Sequence, residues 1–269
     1  MKKITFLLIC VITCSTSLFS KDLFSRKEKN FLPEAGDWGI SINAEPFLDY
    51  FGNFIGGNGT NSAPAIDFLS GNQLIYVKYF KNSQVAYRGG IRLGLDYDRF
   101  VTKTPKIPGN DPYITVDDTY STSNDNIALT AGLEKRFGKT RLQGYYGVDG
   151  GLQYAHQVAN WSYGNNLTIE NPGMQTTKVD NGINLGLGTR AFLGLEYFIL
   201  PKISLGGEFG WGVYVFYKAE GERVIKRLEG NTVITQQIPV GSTLQFGADN
   251  NAGNSIFGPA GSLRICFYL

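Results

Sequence analysis

Eleven ionisable residues fall on the same alternate positions of runs that are otherwise apolar. Six are basic: Lys78, Arg88, Arg92, Arg136, Arg190 and Arg264. Five are acidic: Asp96, Glu134, Asp149, Glu196 and Glu208. The chemistry open to such a set depends on its balance of sign. A ring of one sign would select ions in a pore. A near-balanced set suits mutual pairing in a closed space, because a buried charge without a partner is costly. Other constellations are weaker. His156 is the single histidine, and Ser162 lies close to it in sequence. Nothing supplies the nucleophile–base–orienter arrangement that covalent catalysis needs, so no catalytic residue is expected. Asp111, Asp117 and Asp118 read as a solvated loop rather than a cation site. No Cys/His cluster points to zinc, and no metal or cofactor is expected. Gly186-x-Gly188-x-x-Ala191 imitates a dinucleotide fingerprint, but it lies inside a strand pattern with no helix after it.

The elements that carry these charges are legible from periodicity. Residues 183–199 (INLGLGTRAFLGLEYFI) alternate almost throughout, with Leu185, Leu187, Leu193, Leu195 and Tyr197 opposite Gly186, Gly188, Arg190, Gly194 and Glu196. Side chains on a strand alternate between faces. At roughly 3.3 Å per residue this run extends about 55 Å, well beyond a usual strand. Eight strand-like runs of this kind are expected: 38–45 (reaching towards 50), 73–81, 86–100, 126–137, 141–158, 183–199, 203–218 and 256–269. The connections at 82–85, 138–140 and 200–202 are short. Those at 46–72, 101–125, 159–182 and 219–255 are long and rich in Gly, Asn, Asp, Ser, Thr and Pro, residues that favour turns. Aromatic residues near strand ends (Trp38, Tyr79, Tyr97, Tyr154, Tyr197, Tyr217) fit girdles at a membrane surface. The segment PFLDYFGNFI, with Phe47, Leu48, Tyr50, Phe51, Phe54 and Ile55, either extends the first strand or folds as a lid over an opening.

The bulk figures fit an exported β-protein. The 269 residues include 34 Gly, 15 Tyr and 18 Phe. Mean hydropathy is −0.13, and no internal run reaches the roughly 18 apolar residues of a spanning helix. Lys2 and Lys3 precede an apolar stretch and then small residues, which reads as a secretory signal over 1–20, cleaved after Ser17 or Ser20. Its removal takes both lysines and leaves 23 basic against 23 acidic residues. The apparent basicity then vanishes, and no nucleic-acid partner is expected. Cys10 and Cys14 leave with the signal, so Cys266 alone remains and no disulfide framework is possible. Residues 21–37 are polar and charged and read as a flexible periplasmic leader. Residues 38–269 read as one domain.

The chain ends Gly261-Ser262-Leu263-Arg264-Ile265-Cys266-Phe267-Tyr268-Leu269. A glycine followed by alternating apolar and aromatic residues (Gly261, Leu263, Ile265, Phe267, Leu269) resembles the C-terminal assembly signal of outer-membrane barrels, although Leu269 stands where that signal ends in Phe. With the strand pattern, 38–269 resembles small Gram-negative outer-membrane β-barrel proteins, the porin-like group with OmpA-, OmpX- or OmpW-like barrels. The resemblance implies handling by the β-barrel assembly machinery, a lipid environment and a cell outer membrane location.

The fold expected is therefore all-β: a single closed antiparallel up-and-down transmembrane β-barrel of about eight strands, with short periplasmic turns and long extracellular loops. Eight strands enclose just enough space for side chains to fill, so the lumen is expected to be narrow or plugged by the charged residues. Envelope structure or surface interaction through the loops is the role expected, with no enzyme activity. A channel for small solutes or hydrophobic ligands is the alternative, and a subunit of a secretion or motility complex a further one. Group membership names no extracellular or envelope partner.

Overall fold

The computed structural model describes residues 31–55, 74–109, 111, 113–248 and 254–269. The signal segment 1–20, leader residues 21–30 and loop residues 56–73 lie outside them. The elements run β1 (Trp38–Asn43), α1 (Glu45–Ile55), β2 (Ile75–Asn82), β3 (Val85–Pro105), β4 (Thr115–Phe137), β5 (Leu142–Ser162), β6 (Met174–Asp180), β7 (Asn184–Leu200), β8 (Ile203–Lys218), β9 (Gly221–Glu229), β10 (Thr232–Val240), β11 (Thr243–Ala248), α2 (Asn254–Phe257) and β12 (Gly261–Tyr268).

All strand pairings are antiparallel. Eight strands pair in a ring that returns on itself: β1 with β2, β2 with β3, β3 with β4, β4 with β5, β5 with β7, β7 with β8, β8 with β12, and β12 with β1. Within the span where all eight pair, such a ring has no bare edge. The other four strands extend it away from the termini. β6 pairs with the upper end of β5, β9 with β6, and β10 with β9, while β11 pairs with the end of β8.

Tight turns close the ring at the end where the termini lie. Asn82 Oδ1 accepts from the N–H groups of Gln84 (2.9 Å) and Val85 (2.8 Å), which is how an asparagine nucleates a turn. Gly138 turns with φ 112°, and Lys202 adopts a left-handed φ of 64° between β7 and β8.

The alternation separates two chemistries. On the outward positions, Leu93, Leu95, Leu129, Val148, Leu152, Leu187, Leu193, Phe209 and Trp211 are all exposed. Between Lys81 and Lys135 at the terminal end and Arg99, Asp125 and His156 at the far end, the outward positions of the ring strands carry no Asp, Glu, Lys, Arg or His. The inward positions are buried and hold three layers. Nearest the termini, Phe31, Phe80, Ala86, Phe198, Cys266 and Tyr268 pack together. Charged residues fill the middle. At the far end Tyr214, Phe216, Ile256 and Phe257 form a second apolar cluster.

Several elements differ from the expectation. The first strand stops at Asn43 instead of reaching 45 or 50. Asn43 Oδ1 accepts from the Glu45 N–H at 3.0 Å, and Glu45 and Pro46 then suit a first helical turn. The segment 46–55 is therefore helical, not a loop. The third strand runs on to Pro105 and the fourth begins at Thr115, so most of 101–125 is a paired hairpin. The Ser, Thr and Asp residues of that stretch lack apolar alternation, yet their backbones hold register. The fifth strand continues to Ser162. The long connections 159–182 and 219–255 contain β6, β9, β10, β11 and α2. Ile256 and Phe257 belong to α2 instead of the last strand, and both are buried in the ring. The last part of the expected leader is also ordered. Phe31 is 5% exposed, and the Arg141 guanidinium lies 4.0 Å above its ring.

Candidate functional site

Ten of the eleven charged residues singled out in the sequence are buried inside the ring, none more than 6% exposed: Lys78, Arg88, Arg92, Glu134, Arg136, Asp149, Arg190, Glu196, Glu208 and Arg264. Asp96 is not among them. It sits half-buried further along β3, where the strand rises past β2. Every ring strand except β1 supplies at least one of the ten, so the network ties the wall together across its diameter.

The network has two tiers. In the tier nearer the termini, Lys78 lies 2.9 Å from Glu134, and Arg136 lies 3.5 Å from Glu134 and pairs with Glu196. Glu196 also accepts from the hydroxyls of Ser204 and Tyr268. In the second tier Glu208 is the hub. Arg88 donates two hydrogen bonds to it, at 2.8 and 3.1 Å. Arg190 and Arg264 each reach it at 3.0 Å, and Arg190 also bonds Asp149 at 3.0 Å. Arg88 joins the tiers, with Asp149 at 3.3 Å and Glu134 at 3.6 Å.

Aromatic faces complete the packing. Arg88 lies 4.0 Å from the Phe192 ring and Arg264 lies 3.9 Å from the Tyr76 ring, contacts in which a guanidinium gains from the ring quadrupole. Glycines leave room for these long side chains. A Cβ at Gly210 would stand 2.6 Å from Arg190 Cδ. This aromatic lining escaped the sequence reading. Phe192, Phe198 and Tyr76 share the inward parity of the charges, and that parity was the available signal.

The far apolar cluster caps the network. The Tyr76 hydroxyl donates to the Phe257 carbonyl at 2.8 Å and lies 3.4 Å from Arg190, so one tyrosine links α2 to the charges. The interior is thus charged at its centre and apolar at both ends. That arrangement strengthens the ion pairs by keeping water from them.

The remaining sequence candidates are dispersed. His156 Nε2 is hydrogen-bonded to Asp180 at 2.9 Å on the outer face, not to Ser162. Lys178 lies 3.3 Å from Asp180 and 2.6 Å from Glu222. Burial raises the Asp180 carboxyl, but the hydrogen bonds from His156, the Gly182 N–H and Lys178 more than offset that and hold it below the usual carboxylate range. The hydrogen bond to Glu222 raises the Lys178 amine. Asp118 accepts from the Gly164 N–H, Asp111 accepts from the Tyr113 N–H, and Asp117 faces Lys103. These three aspartates do not converge. Among the described residues no group of three or more His, Cys, Asp or Glu could hold a metal ion. Gly186 and Gly188 lie within β7, against Phe216 and Phe257. In the terminal segment Leu263 and Phe267 point outward and are exposed, Ile265 is half-buried, and Gly261 and Leu269 lie at its ends.

No family model matches the sequence, and no curated protein matches it. Among solved structures, the chain is similar to the outer membrane protein OprG from Pseudomonas aeruginosa, at 10% identity over 89% of this chain and 99% of that one, with a TM-score of 0.29. It is also similar to CarO of Acinetobacter baumannii, at 13% identity over 90% of this chain and 100% of that one, with a TM-score of 0.27.

Proposed function

We propose that this chain is an integral outer-membrane β-barrel whose lumen is closed, and that it serves envelope structure or surface interaction and is not an enzyme. One observation carries the reading: the ring is inverted relative to a water-soluble protein. Between its polar ends its outward face is a belt that carries no charged residue, and its buried charges lie inside within a network of ion pairs. A soluble barrel would expose that belt to water, far beyond the few hundred Å² of contiguous apolar surface that soluble monomers show. In a bilayer the same belt is the stable face.

The export-type N-terminus and the assembly-type C-terminus support the outer membrane as the destination, with the assembly machinery as partner during insertion. The tight turns beside the termini then face the periplasm, and the projecting strands face outward. Closure is supported by the ten interior charges and by the apolar clusters on both sides of them. Surface interaction falls to the projecting sheet of β3–β6, β9 and β10.

Single-channel recording of the folded protein in a planar bilayer tests this. A silent bilayer is expected, together with a heat-dependent shift in gel mobility that marks a folded barrel. Steady openings of nanosiemens size would replace this reading with a diffusion channel.

A further inference from the structure

Three aromatic side chains stand side by side where the wall projects. Phe100 on β3 pairs with Tyr120 on β4, and Tyr120 pairs with Trp161 on β5. The ring centroids of Phe100 and Tyr120 are 6.0 Å apart with planes 19° from parallel, and those of Tyr120 and Trp161 are 5.0 Å apart with planes at 39°. The register is unbroken from the buried charges upward. Alternation therefore puts all three rings on the face that lines the lumen lower down. Here that face is open to solvent. Phe100 is 55% exposed, and Tyr120 and Trp161 are half-buried.

The ladder stands beyond the charged residues that end the outward belt. Tyr120 lies five residues past Asp125, and Trp161 lies five past His156, which is about 16 Å further along each strand. A lipid tail is therefore not its occupant.

The surroundings of the rings select a chemistry. The registered row below them holds Asp98 and Thr122, and the row above holds Thr102 and Asp118. Asp118 accepts from the Gly164 N–H at 2.8 Å, which fixes its carboxylate. An aspartate and a threonine thus flank the ladder on each side, and carboxylate oxygens are strong acceptors for hydroxyl donors. On this face, positions 94–104 of β3, 116–126 of β4 and 153–161 of β5 hold no Lys or Arg. An anionic ligand would meet only repulsion from these aspartates. A sugar ring fits both features. Its C–H groups carry slight positive charge and favour the negative faces of aromatic rings, while its hydroxyls project from the rim. At the usual strand spacing the row is about 10 Å long, which gives room for more than one sugar ring.

We infer that the Phe100–Tyr120–Trp161 ladder binds a neutral oligosaccharide, with sugar rings against the aromatic row and hydroxyls donating to Asp98 and Asp118. The inference deepens the surface-interaction reading above and rests on it. The rings hold one another in place across three paired strands, so the site is organised before the sugar arrives.

An array of neutral and acidic oligosaccharides tests it, probed with folded protein in a detergent that has no sugar headgroup. The best-bound free sugar is then titrated by calorimetry. Wild type is expected to bind neutral sugars and not acidic ones. Trp161→Ala and Phe100→Ala are each expected to weaken binding by about tenfold. Trp211→Phe, on the outward belt, is expected to bind as wild type does. Heat-dependent gel mobility and amide exchange in the β3–β4 hairpin establish that each variant is folded. Titration with vesicles that carry the same sugar on a lipid separates a membrane-borne source from a soluble one, and binding to either supports the site. The inference is overturned if no neutral sugar binds, if acidic sugars or the polyamine spermine bind instead, or if both alanine variants bind as tightly as wild type. A silent planar bilayer with no sugar binding overturns this inference alone. Steady channel openings with sugar binding intact overturn the closed-lumen reading and leave the ladder's role standing.

Discussion

At the scale of single residues, Glu208 bears more of the structure than its side-chain size suggests. It accepts from Arg88, Arg190 and Arg264, which arrive from β3, β7 and β12. Removing one member of a buried charge network leaves the others uncompensated, which typically costs about 3–5 kcal/mol. Glu208→Ala is expected to lower the unfolding free energy of the detergent-solubilised protein, read from its urea titration, by an amount of that order. Glu208→Gln retains an acceptor oxygen and is expected to cost less. Equal midpoints for Glu208→Ala and wild type would mean that the arginines find other acceptors. Among the described residues the six buried cations outnumber the four buried carboxylates, so the loss of any of these carboxylates leaves its cations with fewer partners.

At the scale of elements, what the sequence disclosed followed one rule. Where apolar and polar residues alternate, as in 183–199 or 203–218, the strand and its faces were readable to within a residue or so. The ten buried charges were readable for the same reason. Where a strand leaves the belt, both of its faces meet water and the alternation disappears. That is why Thr115–Asp125, β6, β9 and β10 read as loops although their backbones pair. Asp96 shares the parity of the buried charges, but parity records a face, not a height, and Asp96 sits above them. Ile256 and Phe257 misled differently. They continue an apolar run in sequence but turn into the lumen as α2. Their role is testable apart from the charges. Phe257→Ala is expected to destabilise the fold by about 3–5 kcal/mol and to speed amide exchange in β5 and β7 around Gly151 and Gly188. Unchanged exchange there would mean that α2 does not support the wall.

At the scale of the molecule, the ring and its projecting sheet depend on each other unequally. The ring closes through eight strands. Among the described strand pairings, β9 and β10 reach the ring through β6, and β6 meets β5 at three residue pairs, Val158–Asp180, Ala159–Val179 and Asn160–Lys178. Replacing 222–239 by a short Gly/Ser linker is therefore expected to leave the heat-dependent gel mobility of the ring unchanged. A variant that no longer shows the folded band would make the projecting sheet part of the folding unit.

The longest hairpin has a further consequence. β3 and β4, at 21 and 23 residues, stay in register to their last pair, Pro105 with Thr115. At roughly 3.3 Å per residue the hairpin is about 70 Å long. In the proposed membrane setting, tilted by about 40°, it would cross an apolar band only about 25 Å tall, and about half its height would stand clear. It is a stiff mast whose tip, where Tyr113 is 91% exposed, stands clear of the ring. In the proposed outer-membrane orientation, a macromolecule arriving from outside would meet this tip first, and it would meet a shape held by backbone hydrogen bonds. A binder selected against the denatured chain is therefore expected to miss the folded hairpin, which a pull-down of native against denatured protein checks.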